Sequence, residues 1–235
     1  MLRTRFEEDL QDLHTRFYEM GLDVSNAVHK AVRAFVQHDK KLAQEVILHD
    51  AKINEDEVKL EKKSFEMIAL QQPVTTDLRR IVTIMKASSD LERMGDHAVS
   101  IAKATIRVKG HTRILEVEDL ISQMSDRVKR MVDAVMKAYI NEDDERAREI
   151  AKADRDVNQF FNDIYNLSIK KMEKDPSTVV SGNDYLHVAN YLERLGDYVT
   201  NICEWIIYLR TGKLTELNTN HTLEDVEDSS LESHN

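Results

Sequence analysis

Acidic side chains stand four residues apart at two distant places in the chain. Glu92 and Asp96 form one pair, and Glu193 and Asp197 form the other. Residues four apart on an α-helix lie one turn above each other on the same face, so each pair presents two carboxylates side by side. Like charges at this spacing destabilise a helix by roughly a few tenths of a kcal/mol. The recurrence of an unfavourable pair indicates that a cation offsets the repulsion.

A second set of oxygen-bearing side chains precedes each acidic pair in the sequence. If the helices that carry these sets pack antiparallel, the two sets face each other across a groove. Three carboxylates and one amide oxygen suit a hard or borderline divalent cation such as Mg²⁺, Mn²⁺, Fe or Zn²⁺, and the sequence does not decide among them. We therefore predict two metal sites, one formed by Asp50, Asn54, Glu92 and Asp96 and the other by Asp154, Asn158, Glu193 and Asp197.

Each acidic pair encloses an arginine and a glycine. Gly95 and Gly196 lie inside predicted helices, where a glycine costs about 1 kcal/mol relative to alanine. The missing side chain lets two helices approach closely. Arg93 and Arg194 can balance charge beside the carboxylates or reach a bound anion.

An internal duplication explains why these features occur twice. The segment that begins at Val28 recurs at Val132, an offset of 132 − 28 = 104 residues, and Asp50 and Asn54 recur at the same offset. The string Leu91–Asp96 recurs as Leu192–Asp197 with an offset of 101. One such acidic pair is usually only a solvated helix face. Its repetition across a diverged duplication is what favours metal binding.

The sequence predicts six helices of about 30 residues each. Long helices are expected because glycine and proline, which end helices, number only six and two. Apolar residues recur at alternating spacings of three and four, which is typical of long packed helices. In the third and sixth predicted helices this spacing predicts a buried apolar seam, and the acidic pairs lie beside it. The sequence therefore predicts an all-α fold, a tandem duplication of a three-helix bundle with six long antiparallel helices. The expected units are residues 1–110, residues 111–212 and an acidic disordered tail, 213–235. Predicted helix boundaries lie at Gln37, Asp39, Pro73, Thr75 or Thr76, Gly110, Asn141, Asp175, Asn183 or nearby, and Gly212.

Composition excludes several classes of protein. A formal net charge of −10 argues against nucleic acid as the main partner, because phosphate contacts need a basic surface. The single cysteine, Cys203, excludes an intrachain disulfide and fits a reducing compartment. The first residues lack the apolar region of a secretion signal, and no run of 18 apolar residues occurs. We expect a soluble, cytoplasmic protein.

Two rival interpretations stay open at this point. A carboxylate cluster can activate water in a metal-dependent enzyme such as a phosphohydrolase. The sequence, however, shows no glycine-rich loop for phosphate, no histidine-rich metal set and no nucleophile–base arrangement, so we predict no enzymatic activity and no catalytic residues. The second rival is a purely structural helical bundle that binds no metal.

The acidic strings also carry a family resemblance. Leu91–Asp96 and Leu192–Asp197 resemble the paired motifs of the PhoU family, and the runs Thr76–Arg79 and Asn201–Tyr208 strengthen the match. The resemblance covers residues 2 to 212. It implies two three-helix bundles, often assembled as a homodimer, with multinuclear metal clusters at these motifs in some members. The two asparagines, Asn54 and Asn158, depart from a pure carboxylate pattern.

The same resemblance implies a function in phosphate homeostasis. It implies a negative regulator of phosphate uptake and phosphate-starvation signalling, acting as a metal-binding adaptor. In that picture the protein bridges the ATPase subunit of the phosphate ABC transporter and a phosphate-sensing histidine kinase. It reaches the membrane only indirectly, through these partners.

Overall fold

The fold is a bundle of long helices joined by short connections. The computed structural model describes residues 2–217, with side chains from residue 4 onward. Within this range no strand occurs, so the predicted all-α class is confirmed. The acidic tail predicted for 213–235 lies outside the described residues from position 218 onward. The helices are α1 Leu2–Gln37, α2 Lys40–Gln71, α3 Thr75–Val108, α4 Leu115–Ile140, α5 Asp144–Lys152, α6 Asp154–Lys174 and α7 Val179–Thr211, with a short 3-10 turn at Pro176–Thr178.

Helices α3 and α7 form the centre of the bundle and run antiparallel to each other. Asp90 of α3 lies 3.5 Å from Asn201 of α7, and Arg107 lies 2.7 Å from Asp184, so residue numbers rise along one helix as they fall along the other. Both helices also contact the remaining helices of their own repeat. The apolar seam predicted for them is confirmed, since all of its residues are buried: Ile84, Ala87, Leu91, Met94, Ala98, Ile101, Thr105 and Val108 in α3, and Tyr185, Val188, Leu192, Leu195, Val199, Ile202, Ile206 and Leu209 in α7.

The hydrophobic core continues through both repeats. In α1 the side chains of Leu13, Phe17, Met20 and Val24 are buried at the predicted spacings of three and four residues. They belong to one cluster with buried residues of all the other α-helices. Burial of apolar surface contributes about 25 cal/mol per Å², so this shared core holds the two repeats together.

Several helix boundaries agree with the sequence. The side chain of Asp39 accepts hydrogen bonds from the backbone N–H groups of Lys41 and Leu42, at 2.9 and 3.1 Å, and so caps α2 as predicted. The fifth predicted helix ends at Asp175, and the last ends at Gly212.

Other boundaries differ from the prediction. Helix α3 begins at Thr75 with Val74 at the cap position, and no side chain caps it. The Thr76 hydroxyl instead accepts a hydrogen bond from the Arg79 guanidinium at 3.4 Å. Asn141 does not cap the fifth helix. Its side-chain amide donates to the Lys137 carbonyl at the end of α4, and Asp143 caps α5 instead.

The last two predicted helices also differ in detail. Asn183 does not open the last helix, which begins four residues earlier, at Val179. Asp175 and the 3-10 turn already reverse the chain there. The fifth predicted helix is interrupted at Ala153, whose backbone N–H bonds the Ile150 carbonyl, three residues back, at 2.9 Å. Ala153 corresponds to His49 in the duplication, yet α2 continues without a break at His49.

A buried ionic network ties the two repeats together at one end of the bundle. Glu118 of α4 is only 3% exposed, and its carboxylate accepts hydrogen bonds from Tyr185 at 2.5 Å and from His38 Nε2 at 3.0 Å. Arg113 donates to the same carboxylate through Nε and Nη2. Burial by itself raises the pKa of Glu118, but the bonds from Arg113, Tyr185 and His38 outweigh it and leave the pKa below its usual value.

Replacing Glu118 with glutamine should change both the stability and its pH dependence. A depressed carboxyl pKa contributes stability above the unfolded-state value of about 4.3, and this contribution is lost as the pH falls through the folded-state value. We expect Glu118→Gln to lower the free energy of unfolding by about 2 kcal/mol at pH 6. The variant should also lose less stability than wild type between pH 5 and pH 3. Urea unfolding followed by circular dichroism measures both.

The control is Glu149→Gln, which removes a carboxylate paired with Arg146 on the exposed surface. Such a pair contributes little, so its unfolding curve should match wild type at each pH. Parallel pH profiles for wild type and Glu118→Gln would contradict the assignment.

Candidate metal centre

The first predicted site lies where α2 packs against α3. These helices are joined by three residues and run antiparallel, so Asp50 and Asn54 of α2 come to the level of the acidic pair in α3. A methyl group added at Gly95 would lie 3.3 Å from two carbons of Ile53 and 3.6 Å from Asp50 Oδ1. The predicted close approach of the two helices is therefore confirmed at this glycine.

Two oxygen atoms in this groove have no hydrogen-bond donor. The Asn54 side-chain amide donates to Asp50 Oδ2 at 3.4 Å. The remaining side-chain oxygens, Oδ1 of Asp50 and Oδ1 of Asn54, are both buried and accept no hydrogen bond from any described residue. A buried acceptor without a donor costs about 1–3 kcal/mol. Two such acceptors on neighbouring turns of one helix fit a cation in the groove.

The carboxylates of the first groove repel each other across the helix contact. Burial, followed by the charge of Asp96, raises the pKa of Asp50 above its usual value. Burial also raises the pKa of Glu92, and the charges of Asp96, Glu57 and Asp50 add to the effect. Acidic side chains from both helices therefore share one electrostatic environment, as the facing arrangement predicts.

The second predicted site repeats this arrangement more tightly. The Asn158 amide donates to Asp154 Oδ2 at 3.1 Å, as Asn54 does to Asp50. A methyl group at Gly196 would lie only 2.5 Å from Asp154 Oδ1 and 3.5 Å from Val157. Asp154 is 1% exposed, whereas Asp50 is half-buried. The glycine of the second repeat thus leaves room for the aspartate of the facing helix.

The side chains converge on the two grooves without closing around a point. Across the described part of the chain, no three His, Cys, Asp or Glu side chains lie close enough together to hold an ion. Glu92 is half-buried and Asp96 is exposed, so both stand at the groove edge, as expected from their position beside the seam. The donor types and the buried acceptors fit a divalent cation, and the eight ligands remain a prediction.

Neighbouring side chains of the first groove have other partners. His97 stacks between Tyr191 and Tyr198, with ring centroids 5.5 and 5.7 Å away. Burial, followed by the charge of Arg194, lowers the pKa of His97. His49 faces Asp23 on α1, at 3.9 Å. Both histidines are thus engaged away from the groove.

Sequence analysis missed one carboxylate of the first groove. Glu57 lies seven residues after Asp50 on the same face of α2 and contributes to the raised pKa of Glu92. The seven-residue spacing was a usable signal. The duplication does not support this signal, because Phe161 occupies the position of Glu57 in the second repeat.

These features define a class of protein: an all-α chain of two fused three-helix repeats, with an acidic groove between the second and third helices of each. The family model of the PhoU domain matches the chain twice, over residues 17–105 and 121–206. The chain belongs to the PhoU family. Within residues 2–217 no helix is long and apolar enough to cross a membrane.

Individual relatives are similar over almost the whole chain. A phosphate-specific transport system accessory protein PhoU homolog of Clostridium acetobutylicum is 38% identical over 93% of this chain and 100% of its own length. The homolog of Streptococcus pneumoniae serotype 4 is 34% identical over 92% and 100%. The crystal structure of PhoU from Pseudomonas aeruginosa superposes with a TM-score of 0.85 at 30% identity, covering 88% of this chain and all of that one. The phosphate transport system regulatory protein PhoU from S. pneumoniae gives a TM-score of 0.84 at 33% identity, covering 89% and 99%.

The two motif glycines should respond differently to alanine. Gly196→Ala places a methyl group against the carboxylate of buried Asp154, whose other oxygen is held by Asn158. We expect it to lower the free energy of unfolding by about 1–3 kcal/mol. Gly95→Ala meets only a tight contact with Ile53, and the gain in helix propensity should keep it within about 1 kcal/mol of wild type. Urea unfolding of both variants measures the difference, and equal losses would contradict it.

Proposed function

We propose that this protein is a cytoplasmic, non-enzymatic, negative regulator of phosphate uptake and phosphate-starvation signalling. Relatives that align over their full length are named as accessory proteins of the phosphate-specific transport system, and one solved relative is named as its regulatory protein. The conserved architecture of two repeats supports the same role here. Regulation by such a protein requires binding to other proteins, and we take it to act as an adaptor.

Divalent metal ions are the proposed cofactor of this adaptor. Asp50, Asn54, Glu92 and Asp96 would hold one site, and the corresponding residues Asp154, Asn158, Glu193 and Asp197 the other. The observation that carries this assignment is the pair of buried, undonated oxygens on Asp50 and Asn54, beside a glycine that brings the helices together. A bound cation supplies positive charge that offsets the repulsion among the carboxylates.

The helices that carry these ligands connect the grooves to the protein surface. α2 and α6 lie on the outside of the bundle, and each shares its groove with a central helix, α3 or α7. Carboxylates that repel each other across a groove favour separation of the outer helix. A cation that offsets the repulsion binds preferentially to the conformation in which the outer helix is docked. It therefore stabilises the protein surface that this conformation presents. That surface would meet the ATPase subunit of the phosphate ABC transporter and a phosphate-sensing histidine kinase, with the protein acting as a homodimer.

Thermal melting tests the coupling between cation and fold. Ligand at one hundred times its dissociation constant stabilises a protein by about 2.7 kcal/mol, which corresponds to a melting temperature about 5–10 °C higher in a chain of this size. We expect EDTA-treated protein to show such an increase on addition of Mn²⁺. Glu92→Gln combined with Glu193→Gln should abolish most of the increase, whereas Glu55→Gln, on the solvent face of α2, should not. A melting temperature that is indifferent to chelator and metal would refute the coupling.

Capture of partners tests the regulatory role itself. Tagged wild-type protein from phosphate-replete cells should retain the transporter ATPase or the sensor kinase, identified by mass spectrometry and immunoblotting. The Glu92→Gln/Glu193→Gln double variant should retain at least about fivefold less of the partner protein, because coupling between two binding sites changes affinity by about that factor or more. The proposed adaptor role fails if neither partner is enriched over an untagged control. Undiminished capture by the double variant would separate partner binding from the metal sites.

A further inference from the structure

The oxygen-bearing face of α2 extends beyond the predicted ligands. Asp50, Asn54, Glu57 and Glu61 follow one another at spacings of four, three and four residues, so they line one face of the helix. At the offset of 104 residues the second repeat keeps Asp154 and Asn158. It then replaces the two glutamates with Phe161 and Tyr165. The two grooves therefore differ in charge just beyond the shared motif.

Glu57 and Glu61 both point toward α3. They line a cavity of about 410 Å³ that is shared with α3, through Met85 and Arg93, and with α7, through Trp205. Glu57 is half-buried, and burial, followed by the charge of Glu61, raises its pKa. Glu57 therefore borders the cavity and is also near enough to Glu92 to raise the pKa of that carboxyl. Its carboxylate is thus a part of the first groove.

Cationic side chains do not neutralise this groove. Lys86 and Arg93 border the cavity, and Lys103 acts on Asp50. Arg93 also lies near Asp90, a buried carboxylate on the α7 side of α3. Three cationic side chains therefore stand against five carboxylates of α2 and α3, which are Asp50, Glu57, Glu61, Glu92 and Asp96. The excess negative charge attracts cations to the first groove.

Apolar packing takes the place of this charge in the second groove. Phe161 packs against the hydrophobic core, and its ring lies 6.4 Å from that of Tyr165. The break at Ala153 starts α6 at Asp154, whose carboxylate is buried against Gly196. The second groove therefore offers fewer charged oxygens beyond its motif and less room than the first.

We infer that the two grooves bind divalent cations unequally, the α2–α3 groove more tightly, and that Glu57 is the residue that makes the difference. The inference rests on the metal binding proposed above and adds a rank order to it. Carboxylate oxygens at the first groove suit a hard cation such as Mn²⁺ or Mg²⁺. An additional charged oxygen near a bound cation strengthens its binding, either as a ligand or by orienting Glu92.

Isothermal titration of the full chain with Mn²⁺, after removal of metal by EDTA, tests the inference. Wild type should show a tight and a weaker class of sites. Glu57→Gln should weaken the tight class about tenfold and leave the weaker class unchanged. Glu193→Gln should remove the weaker class alone. Glu66→Gln serves as the control, since it removes the same charge from the exposed side of α2.

The possible outcomes distinguish the inference from the function beneath it. Equal affinities in wild type, or tight binding unchanged by Glu57→Gln, would overturn the rank order while the metal sites stand. If Glu57→Gln weakened only the weaker class of sites, the α2–α3 groove would be the weaker site and the proposed order would be wrong. Titrations without heat, confirmed by the absence of bound Mn²⁺ after dialysis, would refute metal binding in both grooves. Glu61→Gln, which is more exposed, provides a second variant should Glu57→Gln melt at a lower temperature.

Discussion

Close contact between two helices at a glycine, with acidic side chains held on both sides of it, is the constraint on which this structure depends. At Gly95 the facing helix brings Ile53 and Asp50 within van der Waals distance, and at Gly196 it brings Asp154 closer still. A larger residue would separate the helices or displace the aspartate. Burial and the charges of neighbouring carboxylates make ionisation unfavourable in the first groove, and they raise the pKa values of Asp50 and Glu92. The tight helix packing at the glycine and the repulsion among the carboxylates of the groove thus arise from the same helix–helix contact.

The shared core converts this local arrangement into a property of the whole molecule. Helices α3 and α7 are central to both repeats, and each carries an acidic pair beside its buried seam. A change in the position of α2 or α6 therefore acts on a helix that contacts the opposite repeat. The network around Glu118 adds a second link between the repeats, through His38, Arg113 and Tyr185. The two repeats are thus joined by the apolar core and by a buried ionic network.

Divergence between the repeats has preserved the motif and altered its surroundings. Both copies retain the aspartate–asparagine pair, the acidic pair and the glycine. Around them, Glu57 and Glu61 give way to Phe161 and Tyr165, and a helix that is continuous at His49 is broken at Ala153. The two grooves thus share one motif and differ in the charge that surrounds it.

The sequence by itself determined the helical class, the duplication, the seam and the close approach at the two glycines. Each of these follows from periodicity or from local residue types, which act over one or two turns of helix. Tertiary structure decided which carboxylates share a groove and how deeply each is buried. Glu57 joins the first groove because α3 lies opposite it, and the Asp154 carboxylate is buried in the space that Gly196 leaves on the facing helix. Burial and charge coupling depend on residues far apart in the chain, and no local pattern specifies them.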